Sequence, residues 1–201
     1  MKVTIRKFER EDIPKKVEWI NNPENNSFLH YDIPISVEGT EKWFDSHIND
    51  DDRFDGVIEV DGIPVGTIGL LSIDSKNGKA EYYIAMGETS YKRKGIAAEA
   101  SRQLLDYGFN VLDLNRIYLY TEVENTGAQK LFEKIGFVKE GVIREDLFSK
   151  GKHVDRIVYS ILRKEWNTPP TLPNQSLKPR LSWKRMGCKR NASNEICKHI
   201  Q

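Results

Sequence analysis

The chain has 201 residues, of which 38% are hydrophobic and 30% charged, and its formal net charge is +1. This length suits about one domain with a core of its own. No segment reaches the roughly 18 consecutive apolar residues of a membrane-spanning helix. The N-terminus alternates apolar and charged residues and lacks the apolar core of a signal peptide. We therefore expect a globular, cytoplasmic protein with no membrane partner.

Charge is distributed unevenly along the chain. Residues 168–201 contain seven Lys or Arg and one Glu, which leaves 24 basic and 29 acidic residues, a net charge of −5, in residues 1–167. An acidic body disfavours nucleic acid as a partner and favours a cationic acceptor such as an amine. Both cysteines, Cys188 and Cys197, lie in the basic segment, and with His199 alone they form no metal-ligand pattern. We expect no metal.

Residues 168–201 also differ from the rest of the chain in composition. Four prolines interrupt a polar stretch that has no periodicity. Its apolar residues are too few to offset the entropy lost on ordering. The sequence therefore predicts one folded domain at residues 1–167 and a disordered basic tail at residues 168–201. A membrane or nucleic-acid patch is the alternative interpretation of the tail, with Trp183 as its support.

The predicted elements form an α/β pattern. A strand precedes a helix that starts at Arg10, and Ser36 is a suitable N-cap for a second helix through Ile48. Asp61-Gly62 and Asn77-Gly78 are typical hairpin turns, and Gly136 is a typical helix terminator. After the loop at 21–26, the later elements are strands over 54–60, 64–73 and 79–86, a helix over 96–111, a strand over 116–123, a helix over 126–135, and strands over 137–148 and 154–162.

The segment YKRKGIAAEA, residues 91–100, lies between a predicted strand and a predicted helix. Backbone N–H groups at a helix start have no intrahelical partners, and the helix dipole places partial positive charge there. Gly95 and Ala97 would let a phosphate approach the main chain. Lys92, Arg93 and Lys94 add positive charge. The segment predicts a diphosphate site, and the alternative is an ordinary basic helix start. Its spacing matches neither a P-loop nor a three-glycine dinucleotide fingerprint.

This segment resembles the acetyl-CoA loop of the GNAT superfamily, Gln/Arg-x-x-Gly-x-Gly/Ala, with Gly95 and Ala97 on the small positions and Lys92 at the Gln/Arg position. A second segment, VENTGAQKLFEKIGF at residues 123–137, resembles the family's Asn-x-x-Ala-x-x-Leu-Tyr-x-x-x-Gly-Phe stretch. The similarity covers about residues 3–163. Its closing part, EGVIRED at residues 140–146 and GKHVDRIVYSIL at residues 151–162, resembles the branch of ribosomal-protein, spermidine and nucleotide-amino-sugar N-acetyltransferases. The similarity implies a mixed, mostly antiparallel central sheet with helices on both faces and a splayed pair of parallel strands.

The resemblance implies acetyl-CoA as the co-substrate and assigns it a set of residues. Strands 79–86 and 116–123 would splay, which leaves main-chain groups free for the pantetheine amides. Asn125 would hydrogen-bond the cofactor arm, and it also reads as a helix N-cap, which is compatible with that role. The pantetheine would contact Ile84, Ala85 and Met86. The diphosphate would lie against Lys92, Arg93, Lys94, Gly95, Ile96 and Ala97.

Acetyl transfer requires a neutral amine, whereas an amine of pKa about 10.4 is only about one part in a thousand neutral near pH 7.4. Glu81 is the candidate base, acting through a water, because it interrupts an apolar strand and matches the Ala-Glu element of this branch. The alternative is an edge-strand acid that faces solvent. Where the family often has a tyrosine to protonate the thiolate, this chain has Phe132. Solvent is one alternative proton source, and a non-catalytic acetyl-CoA-binding module is another interpretation.

The segment FLHYDIPI at residues 28–35, with Trp43, resembles the acceptor-side loop and helix of amino-sugar acetyltransferases. His30 and Tyr31 are the candidate acceptor-binding residues, and packing within the loop is the alternative. The resemblance favours a small amine, either an amino sugar, free or linked to a nucleotide, or a polyamine. A ribosomal-protein N-terminus comes second. Members of the family often form homodimers, so the resemblance implies a possible homodimer. The sequence itself does not specify the oligomeric state.

Overall fold

The computed structural model describes residues 1–47 and 49–166. The predicted tail at 168–201 lies outside the described residues. None of the helices in the described ranges combines the length and the apolar character that a bilayer crossing requires.

The order of helices and strands confirms the predicted α/β pattern. One difference lies at Arg10, where the helix was expected to start: Arg10–Asp12 forms a 3-10 turn, and the α-helix begins at Ile13 with Pro14 in its first turn. The strands are β1 (Val3–Lys7), β2 (Phe54–Val60), β3 (Ile63–Asp74), β4 (Lys79–Met86), β5 (Arg116–Glu122), β6 (Val138–Ser149) and β7 (Lys152–Leu162). The helices are α1 (Ile13–Asn21), α2 (Val37–His47), α3 (Ile96–Asn110) and α4 (Thr126–Ile135).

The seven strands form one sheet in the order β1-β2-β3-β4-β5-β7-β6. Neighbouring strands are antiparallel except β4 and β5, which are parallel. The parallel pairing lasts for three residue pairs and ends at Glu81 opposite Tyr118. Beyond this point β4 stays paired with β3 as far as Met86, and β5 stays paired with β7. The predicted splay is therefore confirmed.

Consecutive side chains of β4 lie on opposite faces of the sheet. The Tyr82 hydroxyl is 2.6 Å from Ser101 Oγ of α3, and its ring contacts Phe132 of α4. The Tyr83 hydroxyl instead donates to Asp55 of β2 at 2.7 Å. Val57, two residues after Asp55, packs with residues of α1 and α2. Helices α3 and α4 therefore cover one face, and α1 and α2 cover the other.

Candidate functional site

A cavity of about 1110 Å³ opens at the splay between β4 and β5. This volume exceeds that of most single-ligand pockets, and the lining comes from both faces of the sheet. One end reaches the start of α3, and the other reaches α1 and α2. The predicted site residues that line it are His30, Tyr31, Glu81, Ile84, Ala85, Met86, Lys92, Arg93, Gly95, Ile96, Ala97 and Asn125.

The loop before α3 has the geometry of an anion site. Arg93 and Gly95 both have positive φ, 62° and 80°, and Gly95 is the N-cap of α3. A Cβ placed on Gly95 would have no heavy atom within 4 Å, so the space in front of this backbone is open. A phosphate could therefore approach the amides at the helix start. The loop therefore has the space and the backbone donors for an anionic group.

Two of the three predicted cations of this loop point elsewhere. Lys92 Nζ donates to Asn25 Oδ1 at 2.7 Å and to the Glu24 carbonyl at 3.3 Å. Lys94 does not line the cavity, and its Nζ lies 5.4 Å from the Tyr91 ring centroid. The open space at the helix start is therefore bounded by backbone groups and Arg93, while Lys92 ties the loop to the segment after α1.

The residues predicted to contact the pantetheine lie at the splay. Ile84, Ala85 and Met86 line the cavity and pair on their other edge with β3. Asn125 is the N-cap of α4, and its Oδ1 accepts from the Ala128 N–H at 3.2 Å. Its N-cap role is therefore confirmed, and its side-chain NH₂ donates to none of the described residues.

Glu81 lies at the last parallel residue pair, where the two strands separate. Its carboxylate lines the cavity, is half-buried, and accepts no hydrogen bond from the described residues. Burial raises its pKa, and the positive charge of Arg156 opposes this rise. The carboxylate is thus available to a substrate or a water in the cavity.

A second carboxylate, Glu122, lies on the same face. Tyr118 is paired with Glu81, and Glu122 follows four residues later on β5, so the alternation of the strand returns it to that face. Glu122 is 9% exposed, and its Oε1 is hydrogen-bonded to His30 Nε2 at 2.8 Å. Sequence reasoning missed Glu122, although it interrupts the strand YLYTEV in the same way that Glu81 interrupts its own.

Beyond these carboxylates, the cavity ends in a region that we call the acceptor chamber, bounded by Lys16, Trp43, Arg53, Asp55 and Tyr83. Arg53 Nε and Nη2 donate to the two oxygens of Asp55 at 2.7 and 3.1 Å. The Tyr83 hydroxyl donates to the same carboxylate. Burial raises the Tyr83 pKa well above its ordinary value, and the negative charge of Asp55 adds to this rise.

Tyr83 reaches Asp55 because the strand between them carries a glycine. Asp55, Gly69 and Tyr83 lie opposite one another on β2, β3 and β4. A Cβ on Gly69 would come within 2.4 Å of Tyr83 Cε1 and 2.2 Å of the Phe54 carbonyl oxygen. The tyrosine ring therefore lies directly on the β3 backbone.

Lys16 and Trp43 close the acceptor chamber from α1 and α2. The Lys16 ammonium lies 3.3 Å from the Trp43 ring centroid, a cation–π contact, and Arg53 Cζ lies 5.2 Å from the same ring. Burial lowers the pKa of Lys16 to about 8, with Asp55 opposing and Arg53 reinforcing the change. Sequence reasoning missed Lys16, Arg53 and Asp55.

Phe132 occupies the position at which the family resemblance implies a tyrosine. Its ring is 6% exposed, lines the cavity, and packs edge-on against Tyr82 and Phe137 at centroid distances of 6.1 and 5.9 Å. The α4 side of the cavity is therefore apolar at this point.

Comparison with known proteins agrees with this geometry. Residues 2–138 match the family model described as the acetyltransferase (GNAT) domain. The chain is 33% identical to the uncharacterized N-acetyltransferase p20 of Bacillus licheniformis, over 82% of this chain and 95% of p20. It is 31% identical to the spermidine N(1)-acetyltransferase of Escherichia coli K12, over 87% and 94% of the two chains.

A solved structure gives the same result. The spermidine N-acetyltransferase of Vibrio cholerae, determined with CoA and spermine, superposes with a TM-score of 0.76 at 30% identity, covering 81% of this chain and 96% of that one. The family match spans more than half of the chain, and the superposed structure holds CoA. The chain therefore belongs to the GNAT family and is an acetyl-CoA-dependent N-acetyltransferase.

Proposed function

We propose that this protein transfers the acetyl group of acetyl-CoA to the primary amine of a small molecule, either an amino sugar or a polyamine. The observation that carries the proposal is the pair of carboxylates, Glu81 and Glu122, on one face of the splay and inside one cavity with the loop before α3. Two carboxylates attract an ammonium group to the place where the cofactor arm would end. The names of the Escherichia coli and Vibrio cholerae relatives support a polyamine as one acceptor class.

In this proposal the cofactor occupies the α3 end of the cavity. Backbone N–H groups of residues 93–97 hold the diphosphate, and the free edge of Ile84–Met86 pairs with the pantetheine amides. This arrangement satisfies main-chain groups that β5 leaves unpaired in the described sheet. The Asn125 side-chain NH₂ donates to the same arm.

Glu81 acts as the general base through a water. A water held by Glu81 takes a proton from the ammonium and passes it to the carboxylate, and the neutral amine nitrogen then attacks the thioester carbon. The carbon–sulfur bond breaks to release CoA as a thiolate, and the second nitrogen proton passes to solvent. Burial raises the pKa of Glu81 toward neutral pH, which brings its basicity closer to that of a useful proton acceptor. Glu122, held by His30, orients the incoming ammonium.

The thiolate takes its proton from solvent. Phe132 has no proton to give, and the Tyr82 hydroxyl is already bonded to Ser101 Oγ. A thiol pKa of about 8.5 makes this group a moderate leaving group without a dedicated acid. Transfer can therefore proceed without a tyrosine at this position.

The decisive experiment is release of free CoA thiol from acetyl-CoA in the presence of separate amines. The set contains spermidine, an amino sugar, a nucleotide-linked amino sugar and a peptide with a free N-terminus. Thiol release with a small amine, and an acetylated product of the expected mass, supports the proposal. Release with the peptide alone would assign the protein to the N-terminal acetyltransferases. Tight acetyl-CoA binding by calorimetry without any transfer would identify a non-catalytic binding module.

A further inference from the structure

The charges that line the acceptor chamber do not balance. Arg53 is paired with Asp55 through two hydrogen bonds. Lys16 has no carboxylate within 4.0 Å among the described residues, and its ammonium rests on the face of the Trp43 ring. An ammonium has three N–H donors, and a ring face satisfies none of them with an oxygen acceptor. The chamber therefore presents one unpaired cation to whatever fills it.

A second observation points the same way. Arg53 also lies over the Trp43 ring, so two cations share one aromatic surface. Burial lowers the Lys16 pKa to about 8; the negative charge of Asp55 opposes this change, and repulsion from Arg53 adds to it. A negatively charged group placed between Lys16 and Arg53 would relieve this repulsion and accept the free donors.

The two ends of the cavity are connected by the sheet. Asp55, Gly69 and Tyr83 lie in one row across β2, β3 and β4, and Glu81 precedes Tyr83 by two residues on the same face. Because neighbouring strands are about 4.8 Å apart, β2, which begins next to Arg53, lies on the order of 10 Å from β4, which carries Glu81. A small molecule can therefore contact carboxylates at one end and cations at the other.

We propose that the natural acceptor is a primary amine that also carries an anionic group, a carboxylate or a phosphate, and that Lys16 and Arg53 bind this group. The proposal rests on the proposed function, since it needs the amine at Glu81. A polyamine has only cationic groups and would place one of them against Lys16 and Arg53. The family fold is thus combined with an acceptor chamber suited to a zwitterionic or phosphorylated amine.

The test uses matched pairs of amines that differ only in the anion. One pair is pentylamine and 5-aminopentanoate, and the other is glucosamine and glucosamine 6-phosphate. Spermidine completes the set. We expect kcat/KM for the anionic member to exceed that of its partner at least tenfold in one or both pairs. The two pairs distinguish a carboxylate from a phosphate as the preferred anion.

Variants of the full-length chain test whether Lys16 causes the preference. Lys16→Met should reduce the kcat/KM ratio within the favoured pair by about 10- to 100-fold, as expected for loss of a charge-assisted hydrogen bond. Lys16→Arg should keep most of the preference. Lys15→Met is the matched control, because Lys15 is on the same helix but outside the cavity lining and bridges Glu18 and Glu88. Melting curves and CoA calorimetry confirm that each variant is folded.

Equal kcat/KM values within both pairs would overturn the inference. So would spermidine as the best substrate with an unchanged or higher rate in Lys16→Met. If no amine is acetylated, the proposed function fails, and the inference is then judged by binding alone. Calorimetry on the CoA complex then compares the affinity for 5-aminopentanoate with that for pentylamine, and the affinity for glucosamine 6-phosphate with that for glucosamine. Equal affinities within both pairs would refute the anion site.

Discussion

Glu81→Gln is expected mainly to lower kcat, with a smaller effect on amine binding because Glu122 keeps a carboxylate on the same face. The amide keeps the shape of the side chain, and Glu81 makes no hydrogen bond with the described residues that the change would break. A general base contributes a factor of about 100 to 10,000. At pH 7.4 only about one in a thousand molecules of an amine with pKa about 10.4 is neutral. Removing the proton can therefore raise the rate by about a thousandfold at most. We therefore expect a loss of about 100- to 1,000-fold at pH 7.

The pH dependence separates this role from a structural one. In the parent enzyme the rate falls as pH decreases through the raised pKa of Glu81, because protonation removes the base. In Glu81→Gln the rate follows the fraction of neutral amine and rises about tenfold per pH unit below the amine pKa. The parent rate divided by the Glu81→Gln rate should therefore fall about tenfold per pH unit and approach one by about pH 9.

Steady-state kinetics by thiol release over pH 6.5–9, with melting curves for each variant, make the measurement. Glu122→Gln is the companion variant, since it removes the other carboxylate of the same face. Full activity of Glu81→Gln across the range would refute the assignment. If Glu122→Gln instead shows the pH-dependent loss, the base is Glu122 and its His30 contact orients it.

Three further variants test other parts of the site. Gly95→Glu should abolish acetyl-CoA binding in calorimetry. Gly62→Glu is the control and should bind normally, because Gly62 on the β2–β3 turn has a similar φ of 84° and equally open surroundings. Equal binding by both variants would refute the phosphate site. Phe132→Tyr should raise kcat if protonation of the thiolate limits turnover, and an unchanged kcat with an unchanged solvent isotope effect would exclude that limit. The Arg116 hydrogen bonds hold the pKa of Glu140 at about 2, so its stabilisation is present above the ordinary value of 4.5 and is lost as pH falls from there toward 2. Glu140→Gln should therefore lower the melting temperature at pH 7 by a few degrees or less, because such partly exposed pairs contribute about 1 kcal/mol at most. Near pH 2 the variant and the parent should melt at the same temperature. A melting-temperature difference that does not change with pH would contradict this account.

Features set by neighbouring residues were predictable from the sequence. The Asp61-Gly62 turn, the Asn125 N-cap and the Gly136 terminator each depend on local backbone preferences, and each is present. The splay between β4 and β5 was predictable only through the family resemblance, because no local pattern states where two parallel strands separate.

The acceptor chamber could not be predicted in the same way. Lys16 lies in a helix whose sequence, IPKKVEWIN, places it among polar residues that normally face solvent. Its contact with Trp43 depends on how α1 packs against α2, which is a tertiary event. His30 and Glu122 are separated by 92 positions. Asp55 and Glu122 each interrupt an apolar strand, as Glu81 does, so this one pattern in the sequence marks both.

Lys92 shows the limit of transferring a motif by residue type. The sequence placed its charge at the start of α3, whereas the folded chain directs it to Asn25 and the Glu24 carbonyl. The position retains a donor, as the family pattern requires, but the partner is set by the segment after α1.

The row formed by Asp55, Gly69 and Tyr83 has a consequence for how acceptor choice diverges within the family. Any side chain at the Gly69 position would displace the Tyr83 ring and with it the hydrogen bond to Asp55. Substitutions at these three positions must therefore arise together or in a restricted order during evolution. A homologue with a larger residue in place of Gly69 has a different chamber floor, whatever its overall identity to this chain.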